Sequence, residues 1–226
     1  MIEMIRRFLR QKTRNVGTIV LLALLAGLGG PVASSSGPGP SGYLALLVIA
    51  AASISRDASS GALQMILARP IRRTEYLFGR YLGIVIGFAI FAVAGVVFGL
   101  IVKMIWGPRG PVAPLPLLSG IGFATLWAAQ MAAPLVFFST FLPGYGDVVA
   151  VLLLQILVSL RTNVASLVKF SEMVGRELLP VVTWAGVFRG DLAALASAGR
   201  AVCAAVLFLS AAVLVFSRRE FAYGRD

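Results

Sequence analysis

Long blocks of apolar residues constrain this chain more than any other feature. Six such blocks recur along the sequence, separated by stretches rich in Gly, Pro, Ser or Arg. A helix that crosses a bilayer uses about 20 apolar residues, so six helices take on the order of 120 positions and leave only short loops. The charged fraction is 13%, against about 25% in ordinary soluble domains. The sequence therefore predicts an all-α, polytopic membrane protein without a sizeable soluble domain.

The blocks predict one transmembrane domain over residues 1–226. An amphipathic helix at 1–15 precedes the first span, where it lies on the inner membrane surface or serves only as a positive flank of that span. A polar cytoplasmic segment is predicted at 56–80. An amphipathic segment that dips into the bilayer and returns is predicted at 163–190. The predicted spans are 16–33, 42–55, 81–106, 117–142, 148–163 and 201–217.

The distribution of charge predicts the orientation of the chain. Lys and Arg number 20 against 9 Asp and Glu, which gives a net charge of +11. With six spans and both termini in the cytoplasm, thirteen of the 20 cations lie on the inner side, in agreement with the positive-inside rule. We attribute the excess to orientation in the cell inner membrane and to lipid headgroups, not to nucleic acid.

The composition also excludes several kinds of site. Histidine is absent and Cys203 is the only cysteine, which excludes a disulfide framework, a His or Cys metal site and a His-dependent catalytic dyad or triad. Paired intramembrane carboxylates are missing too, because Asp57 and Asp147 are single acids at the ends of predicted spans. We predict no catalytic residue, no metal and no bound cofactor in this chain.

The polar segment at 56–80 carries the most functional information. Leu63, Ile66 and Leu67 form one apolar stripe, and Pro70 ends the helix that bears it. The arginines around the stripe are Arg69, Arg72, Arg73 and Arg80. Two interpretations of this short amphipathic helix remain open. One is an anchor to anionic lipid, and the other is a docking helix whose apolar residues form the core of an interface with a soluble partner.

A second pattern in the same segment combines an acid, a proline and closely spaced glycines. It consists of Asp57, Gly61-Ala62-Leu63, Leu67-Ala68-Arg69-Pro70, Arg73, Tyr76-Leu77 and Gly79-Arg80-Tyr81-Leu82-Gly83. This pattern resembles the signature of ABC-type export permeases of the ABC-2 superfamily. Those proteins show an acid, a Gly-Thr-Leu-like step, Leu-Leu-x-x-Pro, an Arg and Gly-Lys-Tyr-x-Gly. Here Asp57 stands for the usual Glu, Arg80 for Lys and Ala62 for Thr.

The resemblance implies a membrane subunit of an ABC exporter, with a coupling helix that docks into a separate ATP-hydrolysing subunit. It also implies a second permease copy or a paralogue, and a re-entrant element before the sixth span. The docking residues that it implies are Asp57, Gly61, Leu63, Ile66, Leu67, Arg69, Pro70 and Arg73. ATP is expected in the partner, because no stretch of this chain matches Gly-x-x-x-x-Gly-Lys-Ser/Thr.

Gln130 and Gln155 are the amides deep within predicted spans. Intramembrane polar residues are candidates for a substrate path, and interhelical hydrogen bonding is the other interpretation of each glutamine. The alternatives to an ATP-driven permease are a membrane-embedded scaffold or sensor and a secondary transporter. A secondary transporter is disfavoured because no carboxylate lies mid-membrane to carry a coupled proton.

Overall fold

The structure is a computed structural model that describes residues 5–6, 10, 16–27, 40–51, 54, 57, 72–106, 114–142, 144–159, 169, 172–176, 180 and 182–218. Throughout these residues the regular secondary structure is helical, and none of them lies in a β-strand. The helices are α1 (Val16–Gly27), α2 (Pro40–Ala50), α3 (Arg73–Trp106), α4 (Pro114–Ser139), α5 (Gly146–Ser159), α6 (Trp184–Phe188) and α7 (Leu192–Arg218). The predicted all-α architecture is confirmed.

Three of the described helices are long and apolar enough to cross a bilayer, namely Arg73–Ile101, Leu118–Ser139 and Leu192–Arg218. Two shorter apolar helices, Ser41–Ala50 and Gly146–Ile156, accompany them. A helix pairs its backbone polar groups internally, which is the condition for placing a chain in hydrocarbon. The chain is therefore an integral membrane protein.

The α4 helix lies at the centre of the bundle and packs against α2, α3, α5 and α7. Half of its most apolar stretch is buried, compared with 28% for α3 and for α7. Ala124, Ala128 and Ala132 recur at intervals of four along α4 and are almost fully buried. Short side chains at this spacing let neighbouring helix backbones approach closely, which explains why α4 accepts neighbours on several sides.

Large apolar side chains cover the outer faces of α3 and α7. Ile90, Val97, Val202, Val206 and Leu214 are each about half exposed. Exposed apolar surface of this extent is unusual in a soluble monomer, whereas a lipid tail is as apolar as leucine. These faces are accordingly suited to contact with lipid.

Two glycines with positive φ allow the chain to reverse direction sharply. Gly144 (φ 62°) lies between α4 and α5, and Gly190 (φ 79°) lies between α6 and α7. A side chain with a Cβ is strained in this backbone conformation. The second turn is closed by hydrogen bonds from the Gly190 amide to the Val187 carbonyl (3.1 Å) and from the Asp191 amide to the Gly186 carbonyl (3.0 Å). We call residues 184–195 the α6–α7 hairpin.

The largest differences between the helix bounds and the predicted spans are at the starts of two helices. α3 begins at Arg73 rather than Tyr81, and α7 begins at Leu192 rather than at residue 201. The run 192–200 is rich in alanine, which favours helix without raising hydropathy as much as leucine or valine does. Most of the predicted interfacial helix at 1–15, and of 163–179, lies outside the described residues.

Candidate functional site

Three polar side chains meet at the start of α3. The Tyr76 hydroxyl donates a hydrogen bond of 2.8 Å to Asp57 Oδ2, and Arg80 forms an ion pair with the same carboxylate oxygen. Arg80 Nε also donates to the Tyr76 hydroxyl at 3.3 Å. Tyr76 and Arg80 are four residues apart, which places them on one face of α3. We call Asp57, Tyr76 and Arg80 the polar cluster.

The polar cluster is buried. Asp57 is 3% exposed, Tyr76 1% and Arg80 8%. A buried carboxylate or guanidinium is costly unless it is paired and hydrogen-bonded, and here each charged group contacts the other and the tyrosine hydroxyl. The cluster therefore fixes Asp57, the first of the predicted docking residues, to the beginning of α3.

The polar cluster continues into the end of α7. The Tyr76 ring stacks on Phe216 with centroids 5.8 Å apart and planes at 14°. Arg73 Nη1 donates to the backbone carbonyls of Phe216 (3.1 Å) and Ser217 (3.0 Å). The last carbonyls of a helix lack intrahelical partners, and a cation there is favourable to the helix dipole. Arg73 thus caps the C-terminus of α7 from the first residue of α3.

A second buried contact holds the stretch that follows α2. The Ile54 amide donates to Ser139 Oγ at 3.0 Å, and Ser139, at the end of α4, is 1% exposed. Residue 54 is thereby fixed to α4, and Asp57 is fixed to α3. The chain after α2, the start of α3 and the ends of α4 and α7 consequently meet at one end of the bundle.

Of the eight predicted docking residues, the structure describes Asp57 and Arg73 and brings both to this end of the bundle. The others, Gly61, Leu63, Ile66, Leu67, Arg69 and Pro70, lie outside the described residues. Tyr76, Arg80 and Phe216 were not among the predicted docking residues. The sequence does hold a signal for Arg80, because it is opposite in charge to Asp57 and both lie next to the ends of neighbouring predicted spans.

Gln130 makes a second kind of polar contact, near the middle of the membrane-crossing part of α4. It lies twelve residues from Leu118 and nine from Ser139, which corresponds to about 18 Å and about 14 Å. Gln130 Nε2 donates to the carbonyl of Pro180 at 2.7 Å. The side chain is 7% exposed, and its Oε1 is buried without a hydrogen-bond partner in the described part of the chain.

The chain before α7 runs along α4 from this point. Pro180 lies at the level of Gln130, and the Phe188 ring contacts Phe123 with centroids 5.7 Å apart. Phe123 is seven residues before Gln130 on the same face of α4, which is about 10 Å along the helix. The stretch 180–188 therefore extends from the middle of α4 toward its N-terminal end, where the α6–α7 hairpin reverses the chain.

Gln155 lies on α5, which packs against α4. It is nine residues from Gly146, the first residue of α5, so it is about 14 Å from the helix start. Gln130 is equally far from the end of α4, and a short turn joins these two helix ends. The two predicted path residues thus lie at a common depth on neighbouring helices, with Gln155 half-buried.

The described residues hold no group of three or more potential metal ligands. Cys203 is a free, exposed thiol on α7. The interactions found at the two polar contacts are hydrogen bonds, a buried ion pair and aromatic stacking. These interactions position helices and do not by themselves transform a substrate.

Comparison with protein families identifies a match that spans most of the chain. The family model described as ABC-2 family transporter protein matches residues 4–189, or 186 of the 226 residues. The matched range contains the polar cluster, the predicted docking residues and both glutamines, and it ends inside the α6–α7 hairpin. Comparison with curated proteins and with solved structures gives no match.

Proposed function

This chain belongs to the ABC-2 transporter family, and from that premise we propose that it is the membrane-spanning permease subunit of an ATP-driven exporter. In this proposal a separate subunit binds and hydrolyses ATP. The permease changes between inward-facing and outward-facing packings, and nucleotide binding in the partner biases that equilibrium.

The observation that carries this proposal is the burial of Asp57 in the polar cluster. Asp57 precedes residues 58–71, and the Arg73 side chain holds the α7 carbonyls just after that stretch. Both flanks of the proposed docking segment are therefore tied to packed helices. A segment that is fixed at both ends transmits a displacement to those helices, here α3 and α7, rather than absorbing it.

The proposed docking surface is the polar segment between the second and third spans. Leu63, Ile66 and Leu67 supply its apolar core, and neighbouring charged residues supply a polar rim. Asp57 and Arg73 hold the two ends. The full set is Asp57, Gly61, Leu63, Ile66, Leu67, Arg69, Pro70 and Arg73.

The proposal also assigns an orientation and an assembly. Both termini and the docking surface face the cytoplasm, and the chain lies in the cell inner membrane. A second copy of the permease, or a paralogue, completes the transmembrane unit. Gln130 and Gln155, at their common depth, belong to the neighbourhood of the translocation path.

Copurification tests the docking surface. The ATPase subunit encoded by a neighbouring reading frame is expected to copurify with this chain in detergent. Leu67→Asp places an unpaired charge in the core of the interface, and we expect it to weaken the association by about 100-fold. The matched control is Leu192→Asp, the same change at a residue that is 82% exposed at the start of α7, which should leave the association intact.

Two results would overturn the proposal. Failure of the ATPase to copurify with the unaltered chain would favour a membrane-embedded scaffold or sensor, or a secondary transporter. Unchanged association in Leu67→Asp would remove the docking surface from residues 56–80. Topology is checked separately with Met65→Cys in a Cys203→Ala background, which should react with an impermeant thiol reagent only from the cytoplasmic side.

A further inference from the structure

We propose that Gln130 is a positioning residue that anchors the stretch 180–188 to the middle of α4 at Pro180 through one neutral hydrogen bond, and that this bond opens when the segment moves. The inference rests on the proposed function in taking α4 as a span beside the translocation path. Gln130 then positions a segment of the protein, whereas Gln155 remains a candidate for contact with the translocated substrate.

The backbone of this segment creates the need for a hydrogen-bond donor. Pro180, Val182 and Thr183 are not helical. The Thr183 carbonyl accepts from the amides of Gly186 (2.9 Å) and Val187 (3.2 Å), so it is satisfied by the first turn of α6. The Pro180 carbonyl accepts its hydrogen bond from Gln130 Nε2 at 2.7 Å. In hydrocarbon an unpaired carbonyl is unfavourable, and the hydrogen bond from Gln130 offsets part of that cost.

Gln130 itself carries two acceptor groups beside its one side-chain donor group. Pro134 lies inside α4, and a proline has no amide hydrogen to give to the carbonyl four residues earlier, which is that of Gln130. Gln130 Oε1 is also buried without a partner in the described chain, while the adjacent Ala128 and Met131 are buried and apolar. In the described part of the chain, the Nε2 group of Gln130 is the donor found at the Pro180 carbonyl.

The hairpin joins this segment to α7 rather than to α4. A Cβ at Gly186 would lie 2.8 Å from the Ala194 Cβ, so α6 and α7 are packed at backbone distance. Against α4, the contacts described are the Gln130 hydrogen bond and the ring contact of Phe123 with Phe188. The segment is packed against α7 at backbone distance, whereas one hydrogen bond and one ring contact hold it to α4. We therefore expect it to separate from α4 and to stay with α7.

Cysteine labelling measures whether the bond holds the segment. The probe is Val182→Cys in a Cys203→Ala background, because Val182 is 2% exposed and its position becomes accessible only when the segment moves away from the bundle. Full-length protein in nanodiscs, with both faces in water, is treated with a membrane-impermeant maleimide. Gln130→Met keeps the shape and removes the donor. We expect it to raise the labelling rate roughly three- to tenfold, the range set by one interhelical hydrogen bond in a membrane.

The matched control is Gln155→Met, the same replacement at the same depth on α5, which should leave the labelling rate unchanged. Gln130→Asn is a second test variant that keeps a polar amide and shortens its reach by one methylene. It should raise the rate in the same direction as Gln130→Met, which keeps the proposal testable if the methionine variant folds poorly.

Infrared spectroscopy reports on the bond itself. With proline carbonyls labelled with carbon-13, the difference spectrum between Gln130→Met and the parent should show one carbonyl band at higher frequency, as expected when a carbonyl loses its donor. A purely packing role for Gln130 would not move this band.

The proposal is overturned if Gln130→Met labels no faster than the parent and leaves the carbonyl bands in place. Equal acceleration in Gln130→Met and Gln155→Met would indicate general loosening of the bundle and would also overturn it. None of these measurements uses an ATPase subunit, so failure here is distinct from loss of copurification, which concerns the proposed function.

Discussion

The polar cluster and the Gln130 contact join elements of the same bundle with different chemistry. The cluster pairs a carboxylate with a guanidinium and a hydroxyl, whereas Gln130 donates one neutral hydrogen bond to the Pro180 carbonyl. Both are almost fully buried within the chain. They differ in depth, because the cluster lies at a bundle end and Gln130 lies near the middle of a membrane-crossing helix.

Depth in the membrane explains why one contact uses charged groups and the other a neutral hydrogen bond. A charged pair at a bundle end is close to water and headgroups, whereas a charge at mid-membrane is far more costly. Loss of one member of a buried ion pair leaves an uncompensated charge, but loss of a neutral donor removes one modest interaction. We therefore expect the polar cluster to persist through transport and the Gln130 contact to open and close.

Asp57→Ala should have the largest effect, because it removes the carboxylate that pairs with the buried Arg80 guanidinium. We expect a loss of about 3 kcal/mol in the free energy of unfolding, measured by denaturant or thermal unfolding in detergent. The double variant Asp57→Ala with Arg80→Met should recover at least half of that loss. A single variant as stable as the parent would mean that the cluster is no stronger than the Gln130 contact.

Tyr76→Phe should have the next largest effect and compares hydrogen bonds to charged groups with one to a neutral group. It removes the donor to the Asp57 carboxylate and the acceptor for Arg80 Nε and keeps the ring on Phe216, so we expect a loss of about 2 kcal/mol. The matched control is Tyr81→Phe, whose hydroxyl donates to the neutral Ala129 carbonyl at 3.0 Å and should cost about 1 kcal/mol. Equal losses in unfolding measurements would contradict the charge argument.

Gly186→Ala should have the smallest effect. It tests how tightly α6, which follows the Pro180 contact of Gln130, packs against α7. The added Cβ meets the Ala194 Cβ at 2.8 Å, so α6 must shift against α7 at a cost of about 1 kcal/mol. Gly199→Ala is the matched control on α7, where a Cβ meets nothing within 4 Å, and it should stabilise the helix by about 0.5 kcal/mol. The opposite order in thermal unfolding would show that the hairpin is not tightly packed.

The all-α membrane fold was predictable because the apolar blocks alone determine it. The motif singled out Asp57 and Arg73, and both lie at one end of the bundle. The docking role of the motif stays a prediction, since its apolar stripe, Leu63, Ile66 and Leu67, lies outside the described residues.

The contacts around these residues could not be predicted, for physical reasons. Arg73 and Phe216 are 143 residues apart, and their contact depends on how α3 packs on α7. The partner of Gln130 is a backbone carbonyl, which has no signature in the sequence. The start of α7 at Leu192 was not predicted, because hydropathy identifies the residues that lie in the hydrocarbon core, whereas the helix extends beyond that core.

The length of α3 has a mechanical consequence. Its 34 residues form a rod about 51 Å long, which exceeds the hydrocarbon thickness of about 30 Å. The helix thus acts as a lever, for which a change in tilt of about 10° displaces one end by about 9 Å relative to the other. Arg73, Tyr76 and Arg80 lie within the first eight residues of α3. A small change in tilt applied at that end therefore produces a large displacement of the other end, at the far side of the membrane.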